Sequence, residues 1–225
     1  MLPSVGRVRI NKYEKFRARM VEEQLLPRGI EDQAVLHAMD SVPRHLFVAD
    51  ALHAQAYGDF PLPIGHGQTI SQPYVVALMT QLLQLTGQEK VLEIGTGCGY
   101  QSAILAALCK RVYTVERLKP LLARARRTFD QLQIYNIMSK VADGTEGWSD
   151  NAPFDAIIVT AAGPGIPQPL VDQLADPGVM VLPVGDQEEG QTLMLVRKEG
   201  GEVTTTPVES VCFVKLVGTH GWKAA

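Results

Sequence analysis

Three glycines at alternate positions follow a short apolar run, and their spacing is the strongest chemical signal in the chain. Residues 91–99 read Val-Leu-Glu-Ile-Gly-Thr-Gly-Cys-Gly, which places Gly95, Gly97 and Gly99 between a predicted strand and a predicted helix. Such a turn brings backbone N–H groups and a helix N-terminus close to a ligand, because glycine has no Cβ to block the approach. The spacing differs from the G-x-G-x-x-G of dinucleotide-binding enzymes. With the acidic Glu93 beside it, the pattern favours a nucleoside that carries a sulfonium, S-adenosylmethionine, over a pyrophosphate.

Acidic residues lie at the ends of two further predicted strands. Glu116 ends the second strand, where a carboxylate can accept hydrogen bonds from both hydroxyls of a ribose. Asp143 and Gly144 follow the third strand, where they would meet an adenine edge. Taken singly, each signal has an ordinary alternative: a tight strand–helix turn, a solvated charge or an Asp-Gly turn. Their recurrence at successive strand ends favours a nucleoside site, because ligands of parallel sheets lie at the carboxyl ends of the strands.

The end of the fourth predicted strand indicates which chemical group could accept a methyl group from such a cofactor. It reads Thr-Ala-Ala-Gly-Pro at 160–164. Enzymes that methylate exocyclic amines commonly carry Asn/Asp-Pro-Pro-aromatic there, which holds the amine and shapes its lone pair. Since this chain lacks that motif, we do not expect the amine of a base as the acceptor. A carboxylate fits better, because it is already ionised at neutral pH and needs no general base.

Alternating strands and helices position these residues. The pattern predicts a doubly wound α/β fold with a mostly parallel sheet, because continuous apolar strands alternate with helices. The predicted strands cover Lys90–Ile94, Arg111–Glu116, 137–142, 154–160, 179–184, 191–198 and 210–216. The predicted helices cover 13–26, 31–38, 45–54, 73–85, 100–108, 119–132 and 169–175, with an ordered loop over 57–72 and a loose extension over 1–12. The short link 199–207 predicts an antiparallel pair at one sheet edge.

The composition is that of one globular domain. The chain has 225 residues, of which 46% are hydrophobic and 20% charged, and its net charge of −3 gives no pull toward nucleic acid or an anionic membrane. Three cysteines without a C-x-x-C pair favour a reducing cytoplasm. We expect no secretory signal and no membrane span. Five histidines without ligand spacing predict that no metal is bound.

Longer motifs accompany the glycine loop. They are Val-Pro-Arg at 42–44, Phe-Val at 47–48, Leu-Pro-Ile-Gly at 62–65, Gly-Gln-Thr-Ile-Ser-Gln-Pro at 67–73, Val-Leu-Glu-Ile-Gly-Thr-Gly at 91–97, Phe-Asp-Ala-Ile-Ile-Val-Thr-Ala-Ala at 154–162 and Leu-Pro-Val-Gly at 182–185. From about residue 16 to 217, the chain resembles the protein-L-isoaspartate O-methyltransferases. The Thr-Ile-Ser-x-Pro signature separates that family from other methyltransferases of the same fold.

The resemblance implies a Rossmann-like class I methyltransferase fold with an N-terminal helical extension, as a single domain over 1–225. Residues 1–72 would form the N-terminal helices and a substrate-side loop. Residues 73–225 would form the cofactor-binding α/β core with its C-terminal antiparallel strands.

The implied reaction is methyl transfer from S-adenosylmethionine to the free α-carboxylate of L-isoaspartyl residues in damaged proteins and peptides. The resemblance makes Ser71 the catalytic residue beside that carboxylate, with Ile70, Ser71 and Gln72 contacting the substrate. The implied cofactor contacts are Ile70, Ser71, Gln72, Glu93, Gly95, Gly97, Gly99, Glu116, Asp143 and Gly144. From the residues alone, Ser71 is better explained as helping to start the helix at Pro73, since serine favours that position.

Other interpretations stay open: an RNA or small-molecule methyltransferase, an inactive cofactor-binding module and a nicotinamide-dependent oxidoreductase. The acidic balance disfavours RNA, the retention of Ser71 and the acid pair disfavours an inactive module, and the glycine spacing disfavours an oxidoreductase. His66, Cys98, Ala142 and Lys215 depart from the family pattern, and the helix N-terminus beside Cys98 would lower its thiol pKa. Because its substrates are protein segments that need open access, we expect a monomer. We expect it to act in the cytoplasm on isoaspartyl proteins and peptides, without nucleic acid or membrane.

Overall fold

A twisted sheet flanked by helices forms the centre of the molecule in a computed structural model that describes residues 12–223. The described strands are β1 (Leu62–Gly65), β2 (Gln68–Ile70), β3 (Lys90–Ile94), β4 (Arg111–Glu116), β5 (Ile137–Val141), β6 (Phe154–Val159), β7 (Leu174–Asp186), β8 (Gly190–Glu199) and β9 (Glu202–Val211). The described α-helices are α1 (Lys12–Met20), α2 (Gln33–Ser41), α3 (Pro73–Leu82), α4 (Tyr100–Ala106), α5 (Lys119–Gln131) and α6 (Gln168–Asp172). Apart from Lys12, the loose extension expected over residues 1–12 lies outside the described residues.

The main sheet confirms the predicted doubly wound fold. Its seven strands lie in the order β5-β4-β3-β6-β7-β8-β9, and the first five of these run parallel. Val91 of β3 pairs with Val112 of β4 and with Ala156 of β6, so the carboxyl ends of the three strands meet at one edge. The direction of winding reverses at β3, and ligands of open α/β sheets bind at that point.

The last strand differs from the prediction for 210–216. β9 pairs antiparallel with β8 from Glu202 onward, so the predicted link 199–207 is mostly strand. The β-branched run at 203–206 favours extended backbone. Gly200 and Gly201, with φ of 60° and 81°, form the tight turn of a hairpin. Residues 212–222, the C-terminal strap, leave the sheet and pack back against the end of β6, where Leu216 N–H donates to Ala162 C=O at 2.8 Å.

The predicted helix 45–54 is wrong. Two 3₁₀ segments, Arg44–Phe47 and Asp50–Gln55, replace it, because Val48 and Ala49 between them are extended and interrupt the helical hydrogen bonds. The predicted helix 13–26 is α-helical only to Met20, after which π-helical and 3₁₀ turns lead to Arg28.

The segment predicted as a loop over 57–72 contains the antiparallel hairpin β1–β2. His66 and Gly67, with φ of 54° and 69°, make its turn. The hairpin ends at Ile70, so it delivers Ser71 directly to the start of α3.

The N-terminal helices share a hydrophobic core with the rest of the chain. Met20, Leu25 and Met39 are fully buried in the same cluster as Ala77 of α3 and Ile104 of α4. Burial of this kind is the main stabilising term in a domain, at roughly 25 cal/mol per Å² of apolar surface. Within residues 12–223, no helix combines the length and apolar character needed to cross a membrane.

Candidate functional site

The β3–α4 loop needs glycine for its backbone and its packing. Gly95 has φ +97°, and a Cβ there would stand 2.4 Å from Thr160 Oγ1. Gly99 has φ +91°, and a Cβ would stand 2.5 Å from the ring of Phe129. These contacts are within the protein, so two of the three glycines predicted from a ligand's needs are required by the fold itself. Gly95 and Gly97 line the open cleft, whereas Gly99 lies behind it against α5.

Glu116, the last residue of β4, fixes this loop from the side. Its Oε2 accepts from Gly97 N–H and its Oε1 from Leu118 N–H, both at 2.8 Å. The side chain also lines the cleft. Because a carboxylate oxygen accepts about two hydrogen bonds, both oxygens retain capacity for the hydroxyls of a ribose.

Glu93 lies beneath the loop and is fully buried. Its Oε2 accepts from Thr114 Oγ1 at 2.6 Å and from the hydroxyl of Ser102, while its Oε1 has no partner among the described residues. Burial raises the pKa of Glu93 to about 8, against the opposing effect of these two hydrogen bonds. The carboxyl group therefore keeps its proton near neutral pH, with one of its oxygens unpartnered within the described part of the protein.

Asp143 faces the C-terminal strap. Its Oδ1 accepts from Thr145 N–H and Oγ1, and its Oδ2 accepts from Thr219 N–H at 2.7 Å. Burial acts to raise the pKa of Asp143, but the hydrogen bonds from Thr145 and Thr219 outweigh it and hold that pKa below its usual range. The geometry therefore places the carboxylate as an anchor of the strap, while the neighbouring Gly144 lines the cleft.

Two spaces open along the carboxyl edge of the sheet. The cofactor cleft is bounded by Gly95, Gly97, Glu116 and Gly144 on the sheet side and by residues 214–217 of the strap. The acceptor cavity, of about 350 Å³, lies between the start of α3 and residues 209–214. A junction between them is lined by Ile70 and Ser71, by the glycine loop and by Thr69 and Thr160.

Ser71 stands where the junction and the acceptor cavity meet. Its hydroxyl makes no hydrogen bond with any other of residues 12–223, and it does not cap α3. Gln72 occupies the N-cap position without a side-chain cap. Asp59 supplies that cap instead, because its Oδ1 accepts from Tyr74 N–H at 3.2 Å and its Oδ2 from Gln72 Nε2 at 2.9 Å. A capping role for Ser71 is therefore not supported, and the residue lines both the junction and the acceptor cavity.

A buried arginine holds the backbone of Ser71. Arg44 is fully buried and donates from Nη2 to Ser71 C=O and from Nε to Ala56 C=O, both at 2.7 Å. Its guanidinium also lies 4.8 Å from the ring centroid of Tyr100. Desolvation lowers the pKa of Arg44, and no carboxylate of the described residues pairs with it. The hydrogen bond from the buried Arg44 guanidinium therefore fixes the backbone of Ser71 in place.

The structure brings together most of the predicted site. Ile70, Ser71, Gln72, Gly95, Gly97, Glu116 and Gly144 all line one of the three spaces. Glu93, Gly99 and Asp143 lie behind these surfaces and act through the loop, α5 and the strap. Thr69 and Thr160, which line all three spaces, and Asp59 were not predicted. A lone threonine or aspartate carries no sequence signal, although Thr160 directly ends a predicted strand.

Two further expectations concern thiols and metals. Burial raises the pKa of Cys98, so the predicted activation by the helix N-terminus is wrong. Among residues 12–223, no three His, Cys, Asp or Glu side chains cluster closely enough to hold a metal ion.

The doubly wound sheet sets its glycine loop and the acid of β4 at the switch point, an arrangement that suits a nucleoside cofactor and fits the expected class I methyltransferase type. A family model described as protein-L-isoaspartate(D-aspartate) O-methyltransferase matches residues 16–221. The chain belongs to this family.

Relatives and a solved structure agree with the family model. Protein-L-isoaspartate O-methyltransferase 1 of Pelobacter propionicus is 55% identical over 213 residues, which cover 93% of this chain and 99% of the relative. Protein-L-isoaspartate O-methyltransferase of Desulfotalea psychrophila is 56% identical over 214 residues, with coverage of 95% and 100%. A proposed protein-L-isoaspartate O-methyltransferase of Plasmodium falciparum, solved with S-adenosyl-L-homocysteine, is 25% identical with a TM-score of 0.77, covering 92% of this chain and 99% of that one.

Proposed function

We propose that Ser71 orients the free α-carboxylate of an L-isoaspartyl residue in the acceptor cavity, while the cofactor cleft holds S-adenosylmethionine. The observation that carries this proposal is the position of Ser71 at the junction of the two spaces, with a hydroxyl that has no partner among the described residues. A hydroxyl so placed donates one hydrogen bond to an anionic oxygen. The family membership supplies the reaction: a protein-L-isoaspartate O-methyltransferase that depends on S-adenosylmethionine and acts in protein repair.

Different residues of the cofactor cleft would contact different parts of S-adenosylmethionine. Glu116 takes the ribose hydroxyls, the backbone of Gly95 and Gly97 allows close approach, and Gly144 lies beside the base. Residues 214–217 of the strap close the cleft from the other side. These assignments are supported by the lining of the cleft and by the two backbone hydrogen bonds that fix Glu116.

The reaction depends on positioning the methyl donor and the acceptor carboxylate more than on proton transfer. S-adenosylmethionine, when bound, supplies a methyl group on a positively charged sulfur. The acceptor carboxylate is already an ionised nucleophile at neutral pH, so Ser71 need not remove a proton. Arg44 fixes the backbone of Ser71, and Ile70 and Val76 contribute apolar side chains to the wall of the junction. Holding the reacting atoms at attack distance is then the main source of acceleration.

The repair outcome follows from the product. A methyl ester of the isoaspartyl α-carboxyl cyclises to a succinimide without the enzyme, and hydrolysis returns part of it to normal aspartate. This course is the one that the family resemblance implies.

Methyl transfer to two synthetic peptides tests the proposal. The peptides differ only in L-isoaspartate against L-aspartate at one position, and the methyl group of S-adenosylmethionine is radiolabelled. We expect base-labile label in the isoaspartyl peptide alone. Equal labelling of both peptides, or of neither while S-adenosylhomocysteine still binds, would contradict the proposed acceptor.

We also propose that the chain is one domain and works as a monomer in the cytoplasm. The shared core of the N-terminal helices and α3–α5 supports a single domain. β9 bulges at Val208, because Leu193 pairs with Glu209 and Met194 with Pro207, and this bulge and Pro207 discourage pairing at the sheet edge. Three unpaired cysteines, Cys98, Cys109 and Cys212, support a reducing compartment. Fractionation of source cells, with activity expected in the cytoplasmic fraction, checks the location.

A further inference from the structure

The acceptor cavity carries a charged group that methyl transfer itself does not require. Glu209, near the end of β9, lines the cavity together with Ser71, and so does Arg28 from the N-terminal part. The side chains of Glu209 and Arg28 are each 39% exposed, so solvent and ligands reach them. No residue of the glycine loop lines this cavity, so Arg28 and Glu209 belong to the part that residues flanking the acceptor can occupy.

Rigid contacts hold this pair in place. Glu209 Oε2 accepts from the hydroxyl of Tyr74 at 2.8 Å. The guanidinium carbon of Arg28 lies 3.2 Å from the ring centroid of Tyr74, in a cation–π contact. Because Tyr74 belongs to α3, which follows Ser71 in the chain, its contacts hold the charges of Arg28 and Glu209 in place relative to Ser71.

The charges in this cluster do not balance. Arg28 Nη1 lies 2.7 Å from Asp59 Oδ2, whereas Arg28 Nη2 lies 3.8 Å from Glu209 Oε1, which is beyond hydrogen-bond distance. Arg28 is therefore neutralised mainly by Asp59, whose other contacts also cap α3. One cation meets two carboxylates, so the Glu209 carboxylate keeps most of its negative charge toward the cavity.

The size of the cavity leaves room for more than the acceptor. At about 350 Å³ it is many times the roughly 10–15 Å³ of such space that one water molecule needs, and more than one carboxyl group fills. A side chain next to the isoaspartyl residue can therefore enter it and meet Glu209.

We propose that Glu209 is a specificity-determining residue that favours substrates with a lysine or arginine next to the isoaspartyl residue. This inference rests on the proposed function, because it assigns the flanking part of the same peptide to the same cavity. The contact is partly exposed, so its effect is modest and is weakened by salt.

Steady-state kinetics with matched peptides test the inference. The peptides carry Lys, Gln or Glu immediately before or immediately after one L-isoaspartyl residue and are otherwise identical. At low ionic strength we expect kcat/KM for the best Lys peptide to exceed that of its Glu counterpart about three- to ten-fold, mainly through KM. The Gln peptide should lie between them, and about 0.5 M salt should shrink the difference.

Variants of Glu209 separate specificity from structure. Glu209→Gln keeps an acceptor for the Tyr74 hydroxyl and should reduce the Lys-over-Glu ratio to below about two-fold, and Glu209→Lys should invert it. The matched control is Glu202→Gln, at the exposed far end of the same strand, which should keep the wild-type ratio. If Glu209 had only a structural role, Glu209→Gln would lower kcat/KM for all peptides by the same factor and leave the Lys-over-Glu ratio unchanged.

Each outcome is decisive. A preference for the Glu peptides, equal rates for all peptides, or a ratio that Glu209→Gln leaves intact would overturn the inference while the proposed function stands. Failure to methylate any of the isoaspartyl peptides would overturn the proposed function and this inference with it.

Discussion

At the scale of the residue, Glu93 is the most strongly perturbed acid of the site. It is fully buried, and burial raises its pKa from 4.5 to about 8. Between those two values the folded chain keeps a proton that the unfolded chain has released. The resulting stabilisation is complete below about pH 4.5 and is lost as the pH rises through about 8.

Replacing Glu93 tests this linkage. Glu93→Gln resembles the protonated side chain at every pH, so its free energy of unfolding should rise relative to the wild type between pH values of about 5 and 8, by at most about 1.4 kcal/mol per pH unit. Urea unfolding of both proteins across that range measures the difference. Parallel stability profiles for the two proteins would show that Glu93 titrates alike in the folded and unfolded chains.

The residue types of the site were predictable, but their partners were not. The strand ends placed Glu116 and Gly144 correctly beside the glycine loop, because the carboxyl ends of parallel strands share one edge. Asp143 has the same kind of sequence position, yet its oxygens bind Thr145 and Thr219. Thr219 lies 76 residues further along the chain than Asp143, and no local sequence pattern indicates such a contact.

At the scale of the element, the β3–α4 turn depends on glycine for two separate reasons. Gly99 has φ +91° and touches Phe129, whereas Gly201 of the β8–β9 turn has φ +81° and open space around it. The pair therefore separates the backbone requirement from the packing requirement.

We expect Gly201→Ala to lower the free energy of unfolding by about 1–2 kcal/mol, the cost of a left-handed alanine. Gly99→Ala should cost about 1–3 kcal/mol more, because its Cβ overlaps the Phe129 ring and α5 must shift. Denaturant unfolding of both variants measures the difference. Equal losses would mean that Phe129 moves aside freely and that packing does not require this glycine.

Elements with strong local patterns were predicted well, and those fixed by tertiary contacts were not. β3, β4 and β6 are continuous apolar runs, which is typical of strands buried on both faces. The helix predicted over 45–54 has apolar residues at helical spacing, but Arg44 instead turns inward to bind Ala56 and Ser71. β9 is exposed on most positions, so it lacks the alternation that identifies a strand.

At the scale of the whole molecule, the sheet edge decides whether the chain can associate with itself. β5 and β9 are the two edge strands of the main sheet, and Val203 and Val208 on β9 are exposed. Pro207 and the bulge at Val208 beside it act against pairing of β9 with a second copy. We expect sedimentation equilibrium to give a mass near the 24.6 kDa of one chain at micromolar concentrations. A concentration-dependent rise toward twice that mass would indicate that β9 pairs between copies.

We propose that the hydroxyl of Ser71 acts on the substrate rather than on the fold. Because this hydroxyl has no partner among the described residues, Ser71→Ala should leave the melting temperature within about 2 °C of the wild type. Ser71→Thr, which keeps a hydroxyl, is the matched control.

The measurement to make is kcat/KM for one L-isoaspartyl peptide with wild type, Ser71→Ala and Ser71→Thr, alongside S-adenosylhomocysteine binding by calorimetry. Losing a hydrogen bond to a charged group costs about 1.5–3 kcal/mol, so Ser71→Ala should lower kcat/KM about ten- to hundred-fold. Ser71→Thr should recover part of that loss. An unchanged kcat/KM for Ser71→Ala would contradict the role of the hydroxyl. So would an equal loss of kcat/KM in both variants together with a lowered melting temperature.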